Sequence, residues 1–404
     1  MAHYKGYTIR LFPSKDQEVI LFQHINSCRW IWNYMIEINM KSYESGNGVL
    51  SHFQMSSCVP YLRKENEWLK NVDSHSLTLT CKDISERLDM FFTHKANFPK
   101  FKSKRTAKKA YPVRGERIRF RSSNIVKIPS IGDMKYRFDY RKETINLNSI
   151  FPRNPRIFLS KNGKWIMSFN VEYENQILQN KVGPLGIDMG LRNIATYSYI
   201  DIHGNILTEV VHNLNRSKKL HNLDKRINHL KMIMDRKIAS AKKQNRDWSD
   251  SKNYEKVRIK RQKLLYHRTN LIRDEYDKIT SHIVNELHPK IIWMEDLDIR
   301  KMRKNPIYRK DISNANWGLF RNMIEYKSDR IGIPVLYTPK NFPSSQICSN
   351  CGARNEGLKD WSFVFKCPSC GYKEDRDVNA SINLMNYEDD RIISNYCILN
   401  IKRV

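Results

Sequence analysis

The chain opens on an alternation of apolar Tyr7, Ile9 and Leu11 with polar Thr8 and Arg10, which predicts a strand. Pro13 ends it, and Ser14 with Gln17 three residues on makes a capping box that starts a helix. Apolar residues then recur at helical spacing, at Val19, Phe22, Ile25, Trp30, Tyr34 and Ile38, until Gly46 to Gly48 break the pattern. A second helical stretch runs from about Ser51 to His94, with interruptions expected near Pro60 and Asp73. The first hundred residues thus read as one strand followed by a small helical bundle.

Further on the period changes to that of strands. Ile125 to Ile128, Lys135 to Phe138, and a hairpin of Ile157 to Leu159 and Trp165 to Tyr173 around an Asn162-Gly163 turn make this region β-rich. Together with the opening strand they are expected to make a small barrel. After Pro184 come three short strands, Leu185 to Asp188, Asn193 to Tyr199 and Ile206 to Val211. A long helical insert follows. Leu220, Leu223, Ile227, Leu230 and Met234 form one apolar stripe, and Val257, Leu264, Leu265, Leu271, Ile272, Ile279 and Ile283 form another, with the turn of an antiparallel pair over Asn245 to Lys252.

Charge adds a partner to this picture. The 404 residues, enough for two or three domains, carry 71 Lys+Arg against 42 Asp+Glu, a net charge of +29. Such an excess calls for a polyanion, nucleic acid first of all. An 11% aromatic content with 8 Trp and 20 Tyr excludes a disordered basic tail. The excess is concentrated twice. Lys100 to Arg121 holds ten Lys or Arg and the single acid Glu116, interleaved with Phe101, Tyr111 and Phe120. Lys100, Lys102, Lys104, Arg105, Lys108 and Lys109 are the nucleic-acid contacts expected there, since cations bind phosphates and aromatic faces accept bases. Arg216 to Arg273 holds nineteen Lys or Arg and five acids, a surplus of fourteen on the helical insert. No apolar run approaches a membrane span and the N-terminus lacks the apolar core of a secretory signal. Cys28, Cys58, Cys81 and Cys397 are scattered, as free thiols in a reducing compartment are, so a cytoplasmic protein is expected.

Three carboxylates stand out by position. Asp188 ends the apolar strand that starts at Leu185, Glu295 ends the buried-looking Ile291-Ile-Trp-Met strand, and Asp377 sits at the start of a C-terminal helix in DRDVNASINL. An acid ending an apolar strand costs desolvation energy unless it is paired or ligated. Carboxylates hold hard cations, and two magnesium ions roughly 4 Å apart can clamp a phosphodiester. Strand–Asp, two strands, helix, strand–Glu and helix–Asp is the order of an RNase H-like nuclease core. A second constellation, Cys348-x-x-Cys351 and Cys367-x-x-Cys370, has zinc-ribbon spacing, and Gly352 and Gly371 stand where each knuckle needs a positive φ.

GIDMGLRNIAT, WMEDLDI, SSQICSNCG, CPSCG and DRDVNASINL, in this order, resemble TnpB, the RNA-guided nuclease family of insertion sequences, and YTIRLFPSKDQE, CRWIWNY and NFPKFKSK extend the likeness over essentially the whole chain. The resemblance implies a multidomain α+β and α/β architecture. It places a wedge strand at 1–13, a helical recognition domain at 14–95, and the wedge β-barrel with the basic segment at 96–180. A RuvC nuclease domain with the helical insert follows at 181–342, a zinc-ribbon target-nucleic-acid-binding domain at 343–374, and the RuvC C-terminal helix and tail at 375–404.

It further implies Asp188, Glu295 and Asp377 as catalytic ligands of two magnesium ions and the four paired cysteines as ligands of one zinc ion. The implied partners are a guide RNA from the transposon end and double-stranded target DNA beside a short adjacent motif, met by a monomeric protein within a prokaryotic ribonucleoprotein, with no membrane. Ser76, Thr80 and Gln54 are further base-reading candidates. A compact type V CRISPR effector, a DNA-joining transposase and a non-cleaving RNA-guided binder are the alternative readings.

Overall fold

The computed structural model describes residues 3–138, 146–174, 179–248, 251–359 and 362–388. Cys397, the tail beyond residue 388 and the middle of the expected 245–252 turn lie outside the described residues. The chain divides into two compact units, residues 2–173 and residues 174–404.

The N-terminal unit begins with β1 (His3–Phe12) and three helices, α1 (Lys15–Glu44), α2 (His52–Glu65) and α3 (Ser74–Phe92). The Ser14–Gln17 capping box forms as expected, and a second one, Ser51 with Gln54, starts α2. The buried face of α1 is Leu21, Ile25, Cys28, Ile31, Trp32, Met35 and Ile36, whereas Val19 is exposed, so the apolar stripe is offset from the expected one by a residue or two at its start. Pro60 does not break α2 but sits inside it on the exposed side. Its missing N–H costs one helical bond, which burial of Met55, Val59 and Leu62 on the opposite face offsets.

Six strands follow: β2 (Ala110–Pro112), β3 (Arg119–Phe120), β4 (Ile125–Ile128), β5 (Gly132–Arg137), β6 (Arg153–Leu159) and β7 (Trp165–Tyr173). They form one antiparallel sheet in the order β2-β6-β7-β1-β5-β4-β3. The opening strand is therefore central, paired with β7 over nine positions and with β5 over three. Gly163, at φ 79°, closes the β6–β7 turn. Among the described residues no ladder joins the terminal strands β2 and β3.

The C-terminal unit is built on a mixed sheet of β8 (Val182–Asp188), β9 (Asn193–Ile200), β10 (Ile206–His212), β11 (Pro289–Glu295) and β12 (Val335–Thr338). The order is β10-β9-β8-β11-β12, antiparallel on the β10 side and parallel from β8 to β12. Between β10 and β11 runs the helical insert, α4 (Lys218–Lys243) and α5 (Lys252–Ser281). Its apolar stripe is deepest near the sheet, where Leu220, Leu223, Ile227, Ile272 and Tyr276 are buried. Leu230, Met234, Val257 and Leu264 are only half-buried. Two short helices, α6 (Ile299–Met302) and α7 (Arg309–Ala315), lead into α8 (Trp317–Ile331), whose Phe320, Met323 and Ile324 join the sheet's core. A hairpin of β13 (Val364–Lys366) and β14 (Lys373–Asp375) then precedes the helix α9 (Arg376–Met385).

Helix α9 lies directly on the sheet. A Cβ at Gly186 of β8 would overlap the backbone of Ser381 and Met385, so only glycine allows this approach. Ala380 and Ser381 are fully buried there, and Ser198 and Ser381 share a 2.7 Å hydroxyl hydrogen bond. Among the described residues no helix is long and apolar enough to cross a membrane.

Candidate active site and metal centres

Asp188 and Glu295 are the last residues of β8 and β11, adjacent parallel strands whose register pairs Met294 with Ile187 one position earlier. Both carboxylates therefore leave the same end of the sheet side by side. Asp377, in the first turn of α9, is 7% exposed, and its Oδ2 comes within 3.9 Å of where a Cβ on Gly190 would stand. Burial first, then the charges of Glu295 and Asp377, push the Asp188 carboxyl well above the usual carboxylate range. Burial also raises Glu295, while a hydrogen bond from the Ser344 hydroxyl to its Oε1 acts to lower it. The fold thus gathers into one field the three acids that the sequence separates by up to 189 residues (377 − 188).

The two acids of Asp375-Arg376-Asp377 have different places. Asp375 is the N-cap of α9, its Oδ1 accepting from the Asp377 amide at 2.9 Å. Arg192 Nη2 donates to both oxygens of Asp375, at 2.7 and 2.6 Å, and to Asp377 Oδ2 at 3.0 Å. Asn193 Nδ2 donates to the same Asp377 oxygen at 3.3 Å. One guanidinium therefore fixes the helix cap and one oxygen of Asp377, leaving that residue's Oδ1 with Arg376 Nη2 at 3.6 Å.

The four cysteines are gathered more tightly. Their sulfurs all lie within 4.8 Å of one another, with Cys348–Cys370 at 3.7 Å and Cys351–Cys367 at 3.6 Å. Tetrahedral thiolates about 2.3 Å from an ion stand about 3.8 Å apart, so the cage fits a metal of zinc's size. Gly352 and Gly371 have φ of 75° and 71°, the positive values expected of both knuckles. The backbone amide of Tyr372, and then the Cys351 thiol, pull Cys370 down to about 6, favouring the thiolate that a metal needs. Cys28 and Cys81 are buried in the other unit, where burial pushes both thiols up to about 12.

The cysteine module is bolted to α9 and to the acid cluster. Asn379 Nδ2 donates to Ile347 O at 2.7 Å and its Oδ1 accepts from Ser349 N at 2.9 Å. Asn383 Nδ2 reaches Ser344 O and Ile347 O, each at 2.7 Å. Phe363 lies 5.0 Å from the Arg192 guanidinium. None of Arg192, Asn193, Ser344, Asn379 and Asn383 was picked out from the sequence. Arg192 carried the one usable signal, a cation four residues after a strand-end acid.

The basic segment departs from its expected role at one position. Lys100, Lys104, Arg105, Lys108 and Lys109 are exposed. Lys102 is half-buried with its ammonium 3.2 Å from the Trp32 ring centre, and burial lowers its pKa to about 8. Its backbone is held by Asn33, at 2.7 and 3.0 Å, so it serves to dock the segment on α1. Ser76 and Thr80 are buried at 0% and 2%, on the core side of α3, and Gln54 is spent in its capping box. Ser76 and Thr80 do not face solvent as base readers must, whereas Gln54 is exposed. The polar opening between α2 and α3, about 520 Å³, is instead lined by Ser56, Arg63, Lys64, Ser74, His75 and Thr78.

A mixed sheet with acids side by side at its parallel end, a four-thiol cage bolted to the same site and a strongly basic surface define a compact nucleic-acid-processing protein. Comparison with known families agrees. Residues 1–48, 168–306 and 317–384 match the families described as "Helix-turn-helix domain", "Probable transposase" and "Cas12f1-like, TNB domain". In this chain the first of these spans is β1 and the single long helix α1. The chain is 26% identical to the "Putative RNA-guided DNA endonuclease InsQ" of Escherichia coli K12, over 95% of this chain and 92% of that protein. It is 27% identical to a TnpB-like protein of Methanocaldococcus jannaschii, over 50% of this chain and 68% of that one. Its fold resembles the Cas12f1 chain of a solved Cas12f1–sgRNA–target DNA complex, with a TM-score of 0.63 at 15% identity, over 95% of this chain and 99% of that chain. These matches together support a TnpB identity for the chain.

Proposed function

We propose that this protein is an RNA-guided DNA endonuclease that cuts at a RuvC-type site in its C-terminal unit. The observation that carries this reading is the placement of Asp188 and Glu295 at the ends of adjacent parallel strands, with Asp377 brought to them by α9. The strand order β10-β9-β8-β11-β12 is that of an RNase H-like sheet, and 181–342 with 375–388 make up the nuclease domain on this reading.

The donor set suits magnesium. The Asp188 carboxylate has no hydrogen bond or ion pair among the described residues, yet it stands in a field of like charge, where a hard cation relieves it. Asp188, Glu295 and Asp377 would hold the two magnesium ions. When bound, these supply a Lewis acid that activates water and stabilises the leaving oxygen. The chain's own residues prepare the site. Ser344 keeps Glu295 toward its ionised form, and Arg192 with Asn193 aims Asp377 and neutralises the surplus of carboxylates. The four cysteines take one zinc ion, and residues 343–374 form a ribbon that braces α9.

The partners are guide RNA, from the transposon end, and double-stranded DNA. The seven-stranded sheet, which we read as the wedge domain of residues 1–13 and 96–180, the bundle at 14–95 and the cationic faces of the basic segment and of α4 and α5 offer the surfaces for them. The Arg63–Lys64 opening between α2 and α3 is a further basic surface of the N-terminal unit. The likeness of residues 317–384 to the Cas12f1 module favours a compact CRISPR effector as the second reading, and CRISPR repeats rather than transposon ends beside the gene would decide for it. The test of the main reading is to sequence the RNA that copurifies and to offer the complex a matching duplex with magnesium. Cutting confined to the matched duplex is expected. Cutting independent of the RNA, or absent with bound target and metal, would overturn the reading.

A further inference from the structure

Beside the acid cluster, where β9 and β10 pass the start of α9, lies an open cavity of about 470 Å³. Arg192, Asn193, His212, Arg216, Asp375 and Val378 line it. We infer that this cavity seats a backbone phosphate of the DNA strand being cut, next to the scissile linkage, with Arg216 and Arg192 as its ligands. The inference rests on the nuclease reading above; it assigns Arg216, which the carboxylate site does not use, and gives Arg192 a second role beside its hold on Asp377.

Four observations carry it. First, the cavity wall is cationic. Its one carboxylate, Asp375, is already held through both oxygens by Arg192. Second, Arg192 keeps capacity in reserve. Nη2 serves the two aspartates, while Nη1 makes no hydrogen bond among the described residues and the side chain stays 29% exposed. Third, Arg216 is exposed and its side chain makes no hydrogen bond or ion pair among the described residues, so its guanidinium is free to meet a phosphate. Fourth, the cavity is firmly built. Asn213, which also lines it, is buried and pins Leu191 O at 2.8 Å and Asn215 N at 3.0 Å, and His212 Nδ1 lies 3.2 Å from Asn193 Oδ1.

The chemistry selects a backbone rather than a base. Val210 and Val378 are the apolar lining, and the one ring among the lining residues is the small His212 imidazole, tied to Asn193 Oδ1, so a base would find no broad stacking platform. The cut DNA strand is favoured over the guide RNA because Arg192 and Asn193 belong both to this cavity and to Asp377. A phosphate seated here is one step along the backbone from the carboxylates.

The test compares wild type, Arg216→Ala and Arg216→Lys as complexes with their RNA. Arg216→Ala should slow cleavage of the matched duplex about 10- to 100-fold, the scale of a charge-assisted hydrogen bond, with Arg216→Lys between. Guide-RNA affinity and melting temperature should not change. A neutral methylphosphonate placed in turn at each linkage near the cut should slow wild type at one position and cost Arg216→Ala nothing more there. Equal methylphosphonate penalties in both proteins, or a loss of RNA affinity in Arg216→Ala, would overturn the assignment. A second arm needs no cleavage. In an Asp188→Ala background, the complex should bind a natural DNA strand better than one neutralised at that linkage, and Arg216→Ala should erase the preference. A wild type that fails to cut while keeping this preference would refute the nuclease reading and leave the phosphate seat standing. A preference that survives Arg216→Ala would refute the seat.

Discussion

The hydroxyl of Ser344 donates to Oε1 of Glu295, across a gap of 49 residues, and so links the segment entering the cysteine module to the end of β11. Burial raises the Glu295 carboxyl and this hydrogen bond opposes that rise. Ser344→Ala removes the donor, so the folded pKa of Glu295 climbs further and more of it is protonated near neutrality. Cleavage should fall about tenfold at pH 7, the scale of one hydrogen bond to a charged group, and the deficit should narrow as pH rises toward 8.5. Zinc content and target binding should not change. A deficit independent of pH in the cleavage profile would mean that Ser344 acts only on packing.

Asp188 gives a stability prediction with a definite sign. Its folded pKa is raised, so the folded state holds a proton that the unfolded state releases. The stability this contributes is present below the unfolded pKa, about 3.9, and is lost as pH rises through the folded value. In magnesium-free buffer the wild type should therefore lose melting temperature as pH climbs from about 4 toward neutral. Asp188→Asn should flatten that slope and raise the melting temperature at pH 7 by about 2–4 °C, which is about 1 kcal/mol for a unit of this size. Thermal scans of the two proteins across pH, with zinc retained, decide it.

The seat of α9 on β8 predicts that Gly186→Ala is among the most disruptive small substitutions in the chain. The added methyl meets backbone at Ser381, Leu384 and Met385, none of which is a flexible side-chain end. Overpacking of this kind costs about 1–3 kcal/mol. It should also lift Asp377 away from Asp188, so guided cleavage should fall by more than the stability loss explains. Denaturant unfolding and single-turnover cleavage on the same preparation measure both.

Zinc stoichiometry separates the paired from the scattered cysteines. Cys348→Ser should lose the ion and loosen α9, because Asn379 and Asn383 are bonded to the backbone that the cage shapes. Cys28→Ser and Cys81→Ser should keep one zinc per chain and show only the stability cost of placing a hydroxyl in a buried site. Metal analysis of the three variants checks this.

Much of the fold was legible because its signals are local. Ser14 with Gln17 starts α1, Asn162-Gly163 turns β6 into β7, and the glycine after each cysteine pair takes its positive φ. The three strands after Pro184 are where alternation and apolar runs put them. The metal-site candidates were legible because strand-end acids and CxxC pairs are costly without a ligand. What stayed hidden depends on contacts between distant residues. Lys102 reads as one more phosphate binder until Trp32 is seen beneath it. Ser76 and Thr80 look polar in a helix, but Thr80 Oγ1 bonds back to Ser76 O at 2.9 Å and lets that face turn inward. Pro60 breaks a pattern but not a helix whose other face is buried. The central place of β1 could be expected from its alternation, but its nine-position ladder with β7 crosses most of the unit.

The account as a whole rests on the unequal roles of two neighbouring acids, and cleavage by their alanine variants tests it most directly. Asp377 turns into the field of Asp188, and Asp375 caps α9 and anchors Arg192. The complex of protein and RNA is offered a matched duplex with magnesium, and cutting and binding are measured on the same sample. Asp377→Ala should bind RNA and target as wild type does and cut at least about a thousandfold more slowly, as expected when a group at the reacting centre is removed. Asp375→Ala should keep substantial cutting and lose about 1 kcal/mol of stability with its helix cap. Normal cutting by Asp377→Ala, or abolished cutting by Asp375→Ala with Asp377→Ala still active, would contradict the site as drawn.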